Sequence, residues 1–452
     1  MKPGTAALIL TLLGAPSAVA QEPAPPPVPA RLTLEDAIAI ARERNPEYRQ
    51  AVNSARAQGA QVRAGWGAFL PTVSANMSFF GSDSRTVTGQ DDFGRPVELP
   101  QAIDFKGSSS NQSLSATLTL FDGFNNLSSL RAARASRTAA EAVRWSTRDR
   151  LDAETTRRFY DALRSRQLIA LEERLLASAR EQRDNTQRLF RVASATQEDM
   201  LGADADIATA ELQLERAGGD AAKSVLLLRE YLGITEPIAF EVEGDLPPVW
   251  DPSVLHADSL VVSALAAHPR LRQLDAAADA AHLRAAAARG GRWPTIQIGA
   301  GYNRSTNLAS YEALFDFAPK NRTFSFNLSL SYPLFTGFRT SARIAQAGAD
   351  ARNAEESLRA GRLQVEREVR AALIDVQNAR RALALAERAS DLSNQRLELA
   401  RERYAIGAIT FANLQLLIDR AAQEERQLIN ARYSFIAATV TLEERLGREV
   451  GR

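Results

Sequence analysis

Cysteine is absent from the 452 residues. Disulfides, thiolate metal sites, cysteine nucleophiles and acylation of an N-terminal cysteine are therefore excluded. Histidine is scarce: the three copies are His256, His268 and His282. None stands in HExxH or another metal-ligating spacing. Net charge is nearly missing, with 55 basic against 54 acidic residues. That balance gives no footprint for nucleic acid. No GxGxxG, P-loop or GxSxG word occurs. The acidic pairs Glu172–Glu173 and Glu443–Glu444 sit in charged helical patterns and read as solvated helix faces rather than acid–base pairs. No catalytic, cofactor-binding or metal residue is predicted, and an enzyme is not expected. Beyond the N-terminus no apolar run reaches the length of a transmembrane helix. A closed β-barrel is the other route into a membrane.

The N-terminus is the first positive signal. Residues 1–20, MKPGTAALILTLLGAPSAVA, combine Lys2, an apolar run from Ala6 to Leu13 and an A-x-A ending at Ala18 and Ala20. This reads as a secretory signal peptide cut before Gln21. Residues 21–31 are Pro-rich and read as an extended terminus.

The rest of the chain reads as one plan used twice. Pro46 is as far from Pro269 as Pro71 is from Pro294. A second, slightly shorter offset links Gly123 to Gly337, Asp161 to Asp375, Phe190 to Tyr404, Thr196 to Thr410 and Gly233 to Gly447. The offset changes once, between two strand-like phrases. Repeat 1 covers 32–233, with strands at about 72–82 and 111–121. Repeat 2 covers 255–447, with strands at about 295–305 and 323–335. Each opens with a helical pattern (33–68 and 256–291). Polar loops separate the strands (81–111 and 304–322). Then come a helix of about 65 residues, roughly 100 Å long, a short interruption and a last helix. Residues 234–254 are a Pro-rich linker, and 448–452 a short tail.

The strands alternate with period two. Val73, Met77 and Phe79, Leu114 and Leu118, Ile296, Ile298 and Tyr302, and Phe324, Phe326, Leu328 and Tyr332 make one apolar face. The other face holds Ser, Thr, Asn, Gln and Gly without a charge. A soluble sandwich would place charges on its wet face. A lipid-facing side and a water-filled lumen account for both faces. The strand lengths also suit a tilted membrane strand, which takes about 9–11 residues. Four strands cannot close a barrel, and an open edge in lipid leaves backbone groups unsatisfied. An oligomer is expected.

The doubled plan, LTLEDAIAIARERNPEY in the first helix, the paired phrases LFDGF and LFTGF, and the interruptions FRVASATQEDM (190–200) and YAIGAITFANLQ (404–415) together resemble the TolC family of outer-membrane efflux proteins. The resemblance covers nearly all of the chain after the signal peptide. It implies a mainly α fold with a membrane β-barrel part: a homotrimer with a twelve-stranded barrel continuing into a periplasmic α-helical barrel, its equatorial region built partly from the linker. It implies an exit duct of a tripartite efflux or type I secretion system, set in outer-membrane lipid. The partners would be a periplasmic adaptor (membrane fusion) protein and an inner-membrane transporter of RND, ABC or MFS type. It also implies that Val192, Ala193, Ser194 and Ala195, with Ile406, Gly407, Ala408 and Ile409, form an adaptor-docking tip. By the same resemblance Asp199, Tyr404, Asn413 and Leu416 fall at a periplasmic gate, although Ile409 replaces the basic partner there. A periplasmic coiled-coil adaptor or scaffold is the competing reading.

Overall fold

The computed structural model describes residues 28–90, 92–192, 195–308 and 322–447. The signal peptide, most of the Pro-rich segment, Ala193, Ser194 and the tail 448–452 lie outside the described residues. In chain order the elements are β1 (Arg31–Leu32), α1 (Leu34–Arg44), α2 (Pro46–Gly67), β2 (Thr72–Gln90), β3 (Pro96–Phe121), α3 (Asn125–Arg191) and α4 (Gln197–Leu232). There follow β4 (Glu241–Val242), a 3-10 turn (Pro252–Val254), α5 (Ala257–Ala267), α6 (Pro269–Gly290), β5 (Thr295–Leu308), β6 (Arg322–Ser331), α7 (Arg339–Ala405) and α8 (Phe411–Leu446). Helices in matching places of the two repeats have equal lengths: α3 and α7 have 67 residues each, α4 and α8 have 36 each.

Three expectations need correction. The opening helices are each broken in two, at Asn45–Pro46 and His268–Pro269. Proline drives the residue before it out of the α region. Asn45 and His268 accordingly adopt ψ of 124° and 125°. Next, the polar stretch 81–111 is not a loop. β2 runs on to Gln90 and β3 begins at Pro96, so the two form one long hairpin. Antiparallel pairing joins backbone to backbone whatever the side chain, which lets polar residues extend a strand that an apolar pattern began. Finally, the last strand ends at Ser331, not near 335, because Pro333 has no N–H to donate.

The chain divides into two compact units. One comprises the described residues up to Pro46 with 154–247 and 396–429. Its N-terminal strand β1 pairs in parallel with β4 from the inter-repeat linker. Thr33 caps α1 and Thr196 caps α4, both in capping boxes closed by Asp36 and Asp199. Phe159 is buried against Gly244 of the linker. Glu172 of α3 accepts two hydrogen bonds, 2.6 and 2.7 Å, from the Arg426 guanidinium of α8. Glu172 is therefore not a solvated helix charge but a buried, bidentate partner.

The other unit comprises 47–153, 248–395 and the described residues from 430 on. It holds a four-stranded antiparallel sheet in the order β2-β3-β5-β6. Beside it, α6 packs through small residues, Ala281 and Ala285 meeting Ala351. Alanine on both sides lets the helix axes approach closely.

Candidate functional site

Strand register sorts the sheet into two faces. On one, Val73, Ala116, Ala300 and Phe326 form a row across all four strands, and Ala75, Leu114, Tyr302 and Phe324 form the next. Leu118, Ile298 and Leu328 make a third, and Ile296 and Leu330 a fourth. Phe326 and Leu328 are 82% and 70% exposed in the chain, which marks a face awaiting a surrounding medium rather than a core. The Tyr302 and Phe324 rings lie 4.9 Å apart. Met77 and Phe79 continue the face along β2. Tyr332 lies just past the end of β6 and so outside the ladder. A register shift between Thr119 and Phe121 turns Phe121 onto the row of Ile296.

The opposite face is a lattice of small polar groups. Thr72, Thr117, Gly299 and Asn327 form one row, Ser74, Ser115, Gly301 and Ser325 the next. The Ser74 and Ser115 hydroxyls are 2.8 Å apart. A Cβ on Gly299 would collide with the Asn327 side chain, and one on Gly301 would come within 2.8 Å of the Ser325 hydroxyl. These glycines make room for the polar groups opposite them.

Aromatic pairs mark the strand–helix junctions. Trp66 and Phe69 are 6.2 Å apart, Phe121 and Phe124 5.4 Å, and Phe335 and Phe338 5.8 Å. Phe124 has φ 64° and Phe338 φ 63°, directly after Gly123 and Gly337, which are also left-handed. Two consecutive left-handed residues turn the chain sharply from strand into helix. The sequence signal for this was the doubled LF-x-GF phrase; the strained phenylalanine in it was not legible.

Among the described residues, the two helical turns expose some of the side chains expected at a tip and partly cover others. Gly407 has φ +73°, and Ala408 N–H donates to the Arg403 carbonyl at 2.8 Å, closing α7 in a Schellman turn. Ile406 is 80% exposed and Val192 68%. Ile409 is instead half-buried, packed with Tyr404 on the Leu397, Ala400, Leu414 and Ala421 cluster. It cannot present its side chain as fully as a docking residue would. Ala195 is half-buried beside the Thr196 cap, and Ala408 is exposed.

Of the four gate positions the structure brings two together. Asp199 spends its carboxylate on the Thr196 hydroxyl and backbone N–H, both at 2.8 Å. Burial pushes the Tyr404 phenol above its ordinary value, and the Asp199 charge adds to this against a hydrogen bond with Thr186. Asn413 donates its N–H to the Thr410 hydroxyl at 3.3 Å and Leu416 is exposed; neither meets Asp199 in the contacts described. Nearby, burial and the Asp419 carboxylate raise Asp206.

Among the described residues no group of His, Asp or Glu is arranged to hold a metal ion, and no helix is long and apolar enough to cross a membrane.

Comparison with known proteins is consistent across sequence and fold. Protein CyaE of Bordetella pertussis is 28% identical over 367 residues, 79% of this chain and 72% of that protein. Outer membrane efflux protein BepC of Brucella suis is 26% identical over 338 residues, 72% of this chain and 66% of that protein. The CmeC outer membrane channel of Campylobacter jejuni superposes with a TM-score of 0.75 at 14% identity, covering 92% of this chain and 85% of that one. The family model described as outer membrane efflux protein matches residues 37–234 and 260–448, most of the chain. The chain therefore belongs to the outer membrane efflux protein family.

Proposed function

We propose that this chain is one third of an outer-membrane exit duct. Three copies supply twelve strands, β6 of each pairing with β2 of the next. The observation that carries this is the sheet itself: one apolar face, one uncharged polar face, and β2 and β6 left as edges. In lipid each unpaired edge group costs several kcal/mol, so the edges have to meet another copy. The apolar face then meets lipid through Val73, Met77, Phe79, Leu114, Leu118, Ile296, Ile298, Tyr302, Phe324, Phe326 and Leu328, and the polar face lines a wet lumen. The aromatic pairs at the junctions suit the membrane–water interface.

The helices extend this duct into the periplasm. The turns around Val192 and Ile406 carry exposed apolar groups suited to docking a partner helix groove, which points to a periplasmic adaptor and, through it, an inner-membrane transporter. Of the relatives, BepC is named an outer membrane efflux protein and matches 72% of the chain. The duct performs no chemistry of its own.

Cell fractionation with gel analysis tests this. The chain is expected in outer membranes, running as an oligomer that dissociates on heating, and to open aqueous conductance in planar bilayers. Recovery as a soluble monomer from periplasmic extract would favour the adaptor reading and overturn the duct.

A further inference from the structure

Helices α2 and α3 frame an open groove of about 620 Å³ in the unit that holds the sheet. Arg56 and Arg63 of α2 and Arg137 and Arg144 of α3 line it. Glu141 is the one carboxylate among the lining residues. It accepts a hydrogen bond from Arg137 Nε at 2.9 Å. Arg56, Arg63 and Arg137 are exposed and Arg144 is half-buried. Among the described residues no carboxylate pairs with Arg56 or Arg63. The Arg144 guanidinium lies 5.1 Å from the Trp145 ring centre, a contact that uses the face of the group and spends no N–H on a carboxylate. The groove thus sets four guanidiniums against one carboxylate, and that carboxylate serves only Arg137.

The arginines are evenly spaced. Two contacts fix how the antiparallel helices sit: Gly65 lies against Leu130, and Glu47 pairs with Arg150. They place Arg137 about level with Gly59 and Arg144 about level with Val52. From Arg63 the ladder therefore descends through Arg137 and Arg56 to Arg144, alternating between the helices. The steps are four, three and four residues along α2, roughly 6, 4.5 and 6 Å at about 1.5 Å per residue. Between the arginines the groove is lined by Val52, Ala55 and Gly59, all small. A Cβ on Gly59 would meet nothing within 4 Å. Carboxylates at i, i+4, i+7 and i+11 on one face of a helix repeat with the same steps.

Repeat 2 shows that this face stays open and that the charge belongs to repeat 1 alone. Helix α6, the counterpart of α2, already has both its neighbours. Arg284 donates to the Ser136 hydroxyl of α3 at 2.8 Å, and Ala281 and Ala285 meet Ala351 of α7. Asp275 and Asp279, the counterparts of Val52 and Arg56, are nevertheless exposed. A second copy beside α2 would accordingly leave the groove accessible. At the other matching positions Ala286, Ala351 and Leu358 replace Arg63, Arg137 and Arg144. His282 replaces Gly59 and reaches Glu355, the counterpart of Glu141, at 2.7 Å. One groove of the chain is basic and hollow, and its twin is acidic and bridged.

We infer that the α2–α3 groove is a docking site for an acidic helix of a periplasmic partner protein, one that presents carboxylates at i, i+4, i+7 and i+11. The compartment rests on the duct reading; the groove does not. Arginine holds carboxylates through paired N–H donors, and the small residues between the arginines let a helix lie close in the groove. The acidic twin groove would repel the same helix, so each chain offers one such site, apart from the helical turns proposed to dock the adaptor.

The test is fluorescence anisotropy of the detergent-solubilised chain with a labelled, side-chain-stapled helical peptide carrying Glu at i, i+4, i+7 and i+11 on an Ala/Gln background. Wild type is expected to bind it. R56Q/R63Q should bind roughly fivefold less, the loss of two exposed ion pairs, and added salt should weaken binding further. Gly59→His, which copies the bridged groove of repeat 2, should also weaken binding without unfolding the chain. Unchanged binding by R56Q/R63Q, or equal binding of a stapled peptide with its four Glu spread around the helix, would overturn the helix site. Equal binding of unstructured polyglutamate would make the groove a general polyanion site and overturn it too. In cells, a photocrosslinker at Gly59 should capture a segment with the acidic stripe when the crosslinked peptide is sequenced by mass spectrometry. A segment without the stripe, a second copy of this chain or no crosslink would contradict the partner. A chain that binds the peptide yet is recovered as a soluble monomer would remove the duct reading and leave the groove.

Discussion

Helices α2 and α6 occupy matching places, 22 residues each, running from a proline to a glycine just before a strand. α6 buries eight of its residues and α2 buries none. The same contrast recurs at the glycines: Gly290 and Gly123 touch, Gly67 and Gly337 face open space. Composition explains only part of it. α6 is richer in alanine, but the larger cause is position, since α6 has the other repeat beside it and α2 stands at the end of the chain's own set. In the proposed duct one seam lies inside each chain, and its counterpart would be left for a second copy.

Breaking the inner seam should cost most. Gly123→Val forces a branched residue into left-handed φ and drives a Cβ into Gly290, at roughly 1–2 kcal/mol for the backbone and about 1–3 kcal/mol for overpacking. Urea unfolding of the detergent-solubilised chain should show that loss. Gly67→Val is the sharpening partner: it should leave the unfolding of the single chain nearly unchanged yet lower the temperature at which the oligomer dissociates on gels. Equal effects of the two would erase the contrast.

Leu328→Arg should follow, at about 2–4 kcal/mol if the residue lies near mid-membrane, read as failure to reach the outer membrane. Ser329→Arg, the next residue along the strand, should assemble and change conductance only.

Glu172→Gln tests a difference between the seams. It leaves the Arg426 guanidinium without its carboxylate and should cost about 2–3 kcal/mol, at the upper end for hydrogen bonds to charged groups. The repeat counterparts of this pair are Ala386 and Leu212. These two side chains cannot form an ion pair, and Leu212, half-exposed in the single chain, should act on the proposed oligomer through apolar burial, so Leu212→Ala should weaken the oligomer in a salt-insensitive way.

The smallest effect concerns His268. Burial holds its imidazole below the ordinary value, Glu368 opposing and Arg445 adding to the shift. Its Nδ1 accepts from the Arg270 N–H at the start of α6, which needs the neutral ring. A group with a lowered folded value is protonated first in the unfolded chain, so its contribution is present above about pH 6.5 and is lost as pH falls below it. His268→Asn, matching Asn45, should flatten stability between about pH 7 and pH 5.

Much of this was legible in sequence because it depends on local rules. Period-two alternation marked the strands, and the glycines of the doubled phrase, Gly123 and Gly337, the turns into helix. The breaks at Pro46 and Pro269 were also local, and the apolar pattern running across them hid them. What escaped depends on partners far along the chain. Glu172 looked like any helix charge because its partner Arg426 lies on the last helix, in the other repeat. The strand character of 83–90 and 96–110 came from ladder pairing, not from apolar alternation. Ile409 faced a core cluster that only the fold of α7 on α8 creates.

The most direct measurement uses the absence of native cysteine. By the repeat offsets, the in-chain pair Leu114 opposite Tyr302 corresponds in the proposed duct to Leu328 opposite Phe79 of the next copy. Phe79→Cys and Leu328→Cys in one chain, oxidised in intact outer membranes, should give covalent ladders between chains on a non-reducing gel. Met77→Cys with Leu328→Cys, displaced one step along the same face, should not. Crosslinking that favours the shifted pair, or none from either pair in an assembled oligomer, would contradict the proposed seam.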